Sequence, residues 1–330
     1  MSAHFPDRET VHAALSLATR APSVHNTQPW RWRVGSDSLQ LYAERGLHLP
    51  STDPDGRDLI LSCGIALHHC VVALAALGWQ SRVHRLPNPD EPEHLAAIEV
   101  YRHQASEVDI TLAAAIPRRR TDRRNYSSWS VPANYIALMG ARAARAGVML
   151  RQVESLPKLQ HIVAQAVWQH VMDHDYLAEL TTWSGRYASL AGVPARNTPE
   201  PDPTAPVPPR LFAGPVLAQP ADTASVDDNA TVLALGTKDD STLARLRAGE
   251  ATSLMLLSAT ALGLASCPVT EPLEITETRD AVQVDVFGIS GFPQMLLRIG
   301  WAPVNADPLP ATPRRPLEDV VEYLDGSAFN

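Results

Sequence analysis

The spacing of apolar residues sets the first expectations. Over 9–20, Val11, Ala14, Leu15 and Ala18 recur at helical intervals, and Pro22 ends the pattern. The segments RWRV and LQLYAE flank Gly35, Ser36, Asp37 and Ser38, which predicts a hairpin. From 58 to 77 the chain is apolar on most faces and should form a buried helix ended by Gly78. The same plan returns further on, with a helix over 133–146, a strand over 148–153 and a long helix over 158–180. Nine prolines between Pro194 and Pro220 exclude regular helix or central strand and mark 186–228 as a lid, loop or linker. The pattern then resumes as a strand at TVLALGT, a helix over 242–262, and strands at AVQVDVFG and QMLLRIG.

The two long apolar helices share more than their period. Gly64, Ala66, Ala76, Leu77 and Gly78 match Gly249, Ala251, Ala261, Leu262 and Gly263 at one constant offset. Small residues are common in packed helices, so coincidence is one explanation. The matching order of elements around them favours duplication.

Composition narrows the function classes. At 330 residues and 45% hydrophobic content, the chain can bury a large core. A net charge of −8 offers no bulk attraction for nucleic acid. The N-terminus MSAHFPDRET lacks the basic and apolar regions of a signal peptide, and no segment reads as a membrane span, which predicts a cytoplasmic protein. The three cysteines form no C-x-x-C pair and read as reduced core residues. His170 and His174 lie one helical turn apart, but without an H-E-x-x-H glutamate or a third ligand they imply no metal site.

Two polar segments carry candidate chemistry. In 21–30, Ser23, Asn26, Gln28 and Trp30 are held between Pro22 and Pro29, which suits a rigid loop presenting polar groups to a ligand. The same residues could instead form turns that cap the first helix and start the hairpin. In 118–124, five arginines stand around Thr121 and Asp122 within an acidic chain. Guanidinium forks match phosphate oxygens and point to a phosphate site; a solvated linker is the alternative. The first segment occurs only in the first half and the second only at the start of the second half. A site between duplicated halves would therefore be complete once, giving one ligand per chain.

These residues resemble a known family. The loop A-P-S-x-x-N-x-Q-P-W and the signature R-x-[ST]-x-R are similar to those of FMN-dependent nitroreductases, over most of the chain. SCG-x-AL at 62–67, RRTDRR at 119–124, RAGEA at 247–251 and PQ-x-LLRIG at 293–300 resemble its single-chain, two-halved Acg-type branch. The resemblance implies an α+β, nitroreductase-like fold. Two pseudo-symmetric halves, 1–115 and 116–330, would form an internal pseudo-dimer in a monomeric chain, with a proline-rich lid inserted at about 186–228. It also implies FMN as cofactor, with the phosphate on Arg119, Thr121 and Arg123, assisted by Arg314 and Arg315. Pro22, Ser23, Asn26 and Gln28 would hold the ribityl chain and ring edge. Pro268, Val269 and Thr270, followed by Glu271, would pass over the isoalloxazine with an amide directed at N5, which stabilises reduced flavin. The flavin would carry the chemistry, without a catalytic side chain.

Two functions follow from the resemblance. The first is an oxidoreductase that passes hydride from NAD(P)H through FMN to nitroaromatic or quinone-type acceptors; the absence of G-x-G-x-x-G and Walker motifs fits a transient nicotinamide site. The second is an FMN storage or sequestering protein whose lid occludes the flavin. Fold alone does not choose between them.

Overall fold

A computed structural model of the protein describes residues 5–185, 190–202, 205–220, 228–303 and 305–329. The chain forms α1 (Arg8–Ala18), β1 (Trp30–Val34), β2 (Ser38–Ala43), α2 (Arg57–Ala76), β3 (Trp79–Arg85), β4 (His94–Arg102) and α3 (Glu107–Ala115). It continues through α4 (Ala133–Arg145), β5 (Met149–Gln152), α5 (Leu156–Met172), α6 (His174–Trp183), β6 (Thr231–Thr237) and α7 (Thr242–Ala261). The last elements are β7 (Ala265–Val269), α8 (Glu271–Glu274), α9 (Thr276–Val282), β8 (Phe292–Gly300) and β9 (Val321–Tyr323). This is the expected α+β class.

Two sheets share one strand order. The first runs β3-β4-β2-β1-β9 and the second β5-β6-β8-β7, so β1 to β4 and β5 to β8 occupy corresponding places. All neighbours are antiparallel except β9, which pairs in parallel with β1 and adds a C-terminal strand to the sheet of the N-terminal region. In β1, Trp30, Trp32 and Val34 face the core, while Arg31 and Arg33 face outward and pair with Glu44 and Glu322. The second sheet is covered on both faces. Leu233 and Leu235 of β6 join one hydrophobic cluster with α4 and α7, while Val232 and Ala234 join another with α5 and α9. TVLALGT therefore reads as a nearly continuous apolar run.

Between the sheets, α2 crosses α7 at the repeated glycines. A Cβ on Gly64 would lie 2.2 Å from the Leu246 carbonyl oxygen, and one on Gly249 would lie 2.2 Å from that of Leu61. The contact is reciprocal: each glycine meets the carbonyl three residues before the other. Only glycine permits this approach. Length and composition would let α2 cross a membrane, contrary to the expectation that no segment is apolar enough: its mean hydropathy reaches 2.1 over an 18-residue window. That window is 78% buried inside the protein, where the apolar surface packs on α1, α7 and the first sheet.

Other expectations change in detail. The long helix over 158–180 is broken at Asp173, whose side chain accepts from the amides of Asp175 (2.9 Å) and Tyr176 (3.1 Å) and caps α6. AVQVDVFG is α9 followed by a wide helical turn, Gln283–Phe287, instead of a strand. Valine at every second position imitates a strand there, but Val284 is 74% exposed while Val282 and Phe287 are buried. Within 186–228, residues 186–189, 203–204 and 221–227 lie outside those described. The rest contains one short helical turn, Ala195–Asn197, and isolated bridges Ser184–Val193 and Pro199–Leu217. The prolines account for this irregularity.

Candidate functional site

The loop after α1 is conformationally unusual. His25, Asn26 and Gln28 adopt positive φ of 43°, 55° and 56°, and among the described residues only Leu86 joins them outside glycine. Such angles are costly for side-chain-bearing residues and are retained where surrounding bonds impose them. The carboxamides of Asn26 and Gln28 supply those bonds. Asn26 Nδ2 donates to the carbonyls of Gly192 (3.0 Å) and Pro313 (3.1 Å), and its Oδ1 accepts from Arg314. Gln28 Nε2 donates to the Leu190 carbonyl at 2.9 Å, and its Oε1 accepts from the Arg315 amide at 2.8 Å. These side chains, expected on a ligand, tie the proline-rich segment and the C-terminal segment to the loop. Their buried amide groups already have protein partners, which is why they turn from the cavity described below. Ser23 Oγ accepts from the Gln28 amide at 2.9 Å and braces the turn while lining that cavity.

The arginine run divides into three roles. Arg124 pairs with Asp122 through two bonds of 3.0 and 2.9 Å, so this cation is neutralised within its own segment. Arg119 and Arg120, with Arg20 and Arg314, line a pocket closed by Ile116, Ala311 and Thr312. Burial, reinforced by Arg314, Arg120, Arg20 and Arg123, brings the Arg119 guanidinium down to about 9. Arg314 falls to about 10 through burial, then Arg20 and Arg120. Nε of Arg119 and of Arg120 is buried without a hydrogen-bond partner, as is Nη1 of Arg315. Cations gathered this way suit an anion that accepts from the open donors. Arg314 contributes charge more than bonds, because its nitrogens already donate to the carbonyls of Thr19, Arg20, Ala21, Thr312 and Pro313.

Thr121 and Arg123 face the other side, into a cavity of about 970 Å³ that includes its open mouth. Pro22, Ser23, Cys267, Pro268, Val269 and Thr270 line the same space. It therefore brings together one loop of the N-terminal region, the start of the second region and the end of β7. Asn26, Gln28, Arg314 and Arg315 are outside its lining. From the proline-rich segment, Val207, Pro208, Pro209, Arg210 and Phe212 also face it. Arg123 donates to the Asn197 carbonyl at 3.3 Å and stands 5.0 Å over the Phe212 ring.

Sequence reasoning missed Arg20, Asp58 and Arg210, and it did not separate Arg120 from its neighbours. Arg210 enters the cavity and donates to His25 Nε2, to Glu274 and, at 3.2 Å, to Thr270 Oγ1. Burial works against its charge, but Glu274, Tyr176 and Glu271 hold it above its ordinary range. The same burial, followed by the charges of Arg210 and Arg123, keeps His25 neutral. His170 belongs to this network: its Nδ1 lies 3.2 Å from Glu271 and its ring stacks on Tyr176. No local motif marks these residues, since they meet only after folding.

A family model described as the Nitroreductase family matches residues 116–301. The chain is 66% identical over 323 residues to Rv3131 of Mycobacterium tuberculosis strain H37Rv, provisionally named an NAD(P)H nitroreductase, covering 98% of this chain and 94% of that protein. It is 35% identical over 324 residues to acg of the same strain, given the same provisional name, covering 94% of this chain and 95% of the other. Among solved structures, the FMN-dependent nitroreductase NfnB from Mycobacterium smegmatis in complex with NADPH aligns with a TM-score of 0.39 at 17% identity. That alignment covers 64% of this chain and 99% of the other.

Proposed function

The chain belongs to the nitroreductase family, and on that premise we propose that it holds one FMN and passes hydride from NAD(P)H to nitroaromatic or quinone-type acceptors. The observation that carries this reading is the arginine pocket beside the cavity. Arg119 and Arg120 offer buried, unpartnered donors among mutually repelling cations, a chemistry that fits a phosphate dianion. Arg20 and Arg314 add charge to that end. Thr121, which accepts from Arg119 Nη1 at 3.5 Å, lines the cavity with Arg123, Pro22, Ser23 and residues 268–270, and in this reading those residues flank the flavin ring. Asn26, Gln28 and Arg315 serve indirectly, by fixing the loop and the C-terminal segment. FMN, when bound, supplies the hydride chemistry, while the protein supplies position and electrostatics. In this account the halves are 1–115 and 116–330, and the second lends β9 to the sheet of the first.

A second reading rests on Arg210. Its bonds to His25 and Thr270, which both line the cavity, and to Glu274 fit a lid held shut over the flavin, as storage would require. Anaerobic NADPH addition to the FMN-loaded protein separates the two. Bleaching of the flavin at turnover rates supports the reductase, and flavin that stays oxidised with both NADH and NADPH overturns it in favour of sequestration.

A further inference from the structure

The arginine pocket holds more charge than one phosphate can neutralise. Arg20, Arg119, Arg120 and Arg314 line it with Ile116, Ala311 and Thr312, and none of these described residues carries a carboxylate. After burial, what lowers Arg120 is the charge of Arg20, and what lowers Arg314 is that of Arg20 and then Arg120. The phosphate of FMN carries about −1.5 to −2 at neutral pH, so against the guanidinium groups of the pocket roughly two positive charges remain. Like charges gathered in a half-buried space repel one another until a further anion offsets them.

The open donors are divided unevenly among the four. Arg314 has none to spare, since its nitrogens donate to backbone carbonyls and to Asn26. Arg119 is buried and donates to Thr121, which lines the cavity, so it serves the end nearer the flavin. Arg120 spends Nη1 on the carbonyls of Pro117 (2.8 Å) and Arg119 (2.9 Å). Arg20 differs from all three: among the described residues its side chain makes no hydrogen bond or ion pair, and its guanidinium nitrogens keep accessible surface. It is half-buried, so its whole fork is presented to the pocket from the more exposed end.

Resting on the reading of this pocket as the FMN phosphate site, we propose that Arg20, with Arg120 beside it, forms a subsite for a second phosphate group. Arg119 and Arg120 receive the phosphate of FMN at the inner end. Arg20 takes the second group at the outer end, where a guanidinium fork matches two phosphate oxygens. That group is free inorganic phosphate or the second phosphate of a flavin dinucleotide, whose nucleoside then lies outside the pocket. Both sources present the same chemistry to Arg20, and no covalent step is involved.

Calorimetric titration of the flavin-free full-length protein and its Arg20→Gln variant provides the test. The ligands are riboflavin, FMN, FMN with inorganic phosphate, and FAD, all at one ionic strength set by chloride. If the second group is free phosphate, adding it should tighten FMN binding by roughly 10-fold, the scale of a hydrogen bond to a charged group. If it belongs to a dinucleotide, FAD should bind roughly 10-fold more tightly than FMN for the same reason. Either gain should vanish in Arg20→Gln. Phosphate that acts only as a competitor of FMN, with FAD no tighter than FMN, overturns the second subsite, and so does a gain that survives in the variant. Comparison with riboflavin keeps the two claims apart. FMN that binds no more tightly than riboflavin overturns the phosphate reading of the whole pocket and this proposal with it, whereas FMN tighter than riboflavin without either gain overturns the second subsite alone.

Discussion

Helices α2 and α7 are each 20 residues long and meet at Gly64 and Gly249, but they differ where they begin. Near its start α2 turns Asp58, Leu61, Ser62 and Ile65 to the cavity. The positions of α7 at the same offset are Leu243, Leu246, Arg247 and Glu250, and none of them lines it. Glu250 instead pairs with Arg85 at 2.7 Å. Packing at the crossing is repeated, whereas the chemistry is present once. Helix contacts depend on a few small residues that tolerate change elsewhere on the surface, so two helices can share one crossing while only one of them lines the cavity near its start.

The largest expected effect tests the repeated part. Gly64→Ala and Gly249→Ala each push a Cβ into a backbone carbonyl, and each should lower stability by about 3 kcal/mol, at the upper end of overpacking costs. Chemical denaturation of the two variants should give similar losses; a large loss at one and none at the other would break the equivalence of the helices. Next comes the unrepeated part. Arg119→Gln with Arg123→Gln removes two charged donors, each worth about 1.5–3 kcal/mol, and should weaken FMN binding by roughly 100-fold or more. Arg247→Gln, an exposed change at the α7 position matching Ser62, should leave FMN fluorescence titrations unchanged. Equal effects of the two changes would place the phosphate elsewhere.

The smallest effect concerns pH. Burial makes folded Asp58 keep its proton to higher pH than its ordinary 3.8. Its contribution to stability is therefore fully present below that value and is lost as pH rises through the folded value. Relative to Asp58→Asn, the wild type should lose stability over that rise when denaturation is repeated across a pH series. A gap that stays constant with pH would contradict a buried neutral acid.

Much of this was legible along the chain where one element faces one environment. The hairpin of β1 and β2, the two apolar helices and their glycines follow directly from periodicity and turn residues. β3 and β4 escaped notice because polar residues such as Gln80, Arg82 and Glu99 dilute the alternation on half-exposed strands. The site was legible as segments but not as contacts. The 21–30 loop and the arginine run both reach it, yet the amides of Asn26 and Gln28 turn to the protein, and Arg20, Arg119, Arg120 and Arg314 share a pocket only through tertiary folding. Arg210 was hidden in a proline-rich stretch whose composition describes its backbone and says nothing of one buried guanidinium.

A site drawn from one copy each of the 21–30 loop and the arginine run would hold one flavin per chain. Titration of flavin-free protein with FMN, with bound flavin counted by absorbance against protein concentration, tests it directly. The account predicts saturation at one FMN per chain, abolished in the Arg119→Gln/Arg123→Gln variant at the same concentrations. Saturation at two per chain, or one equivalent retained by that variant with unchanged affinity, would contradict it.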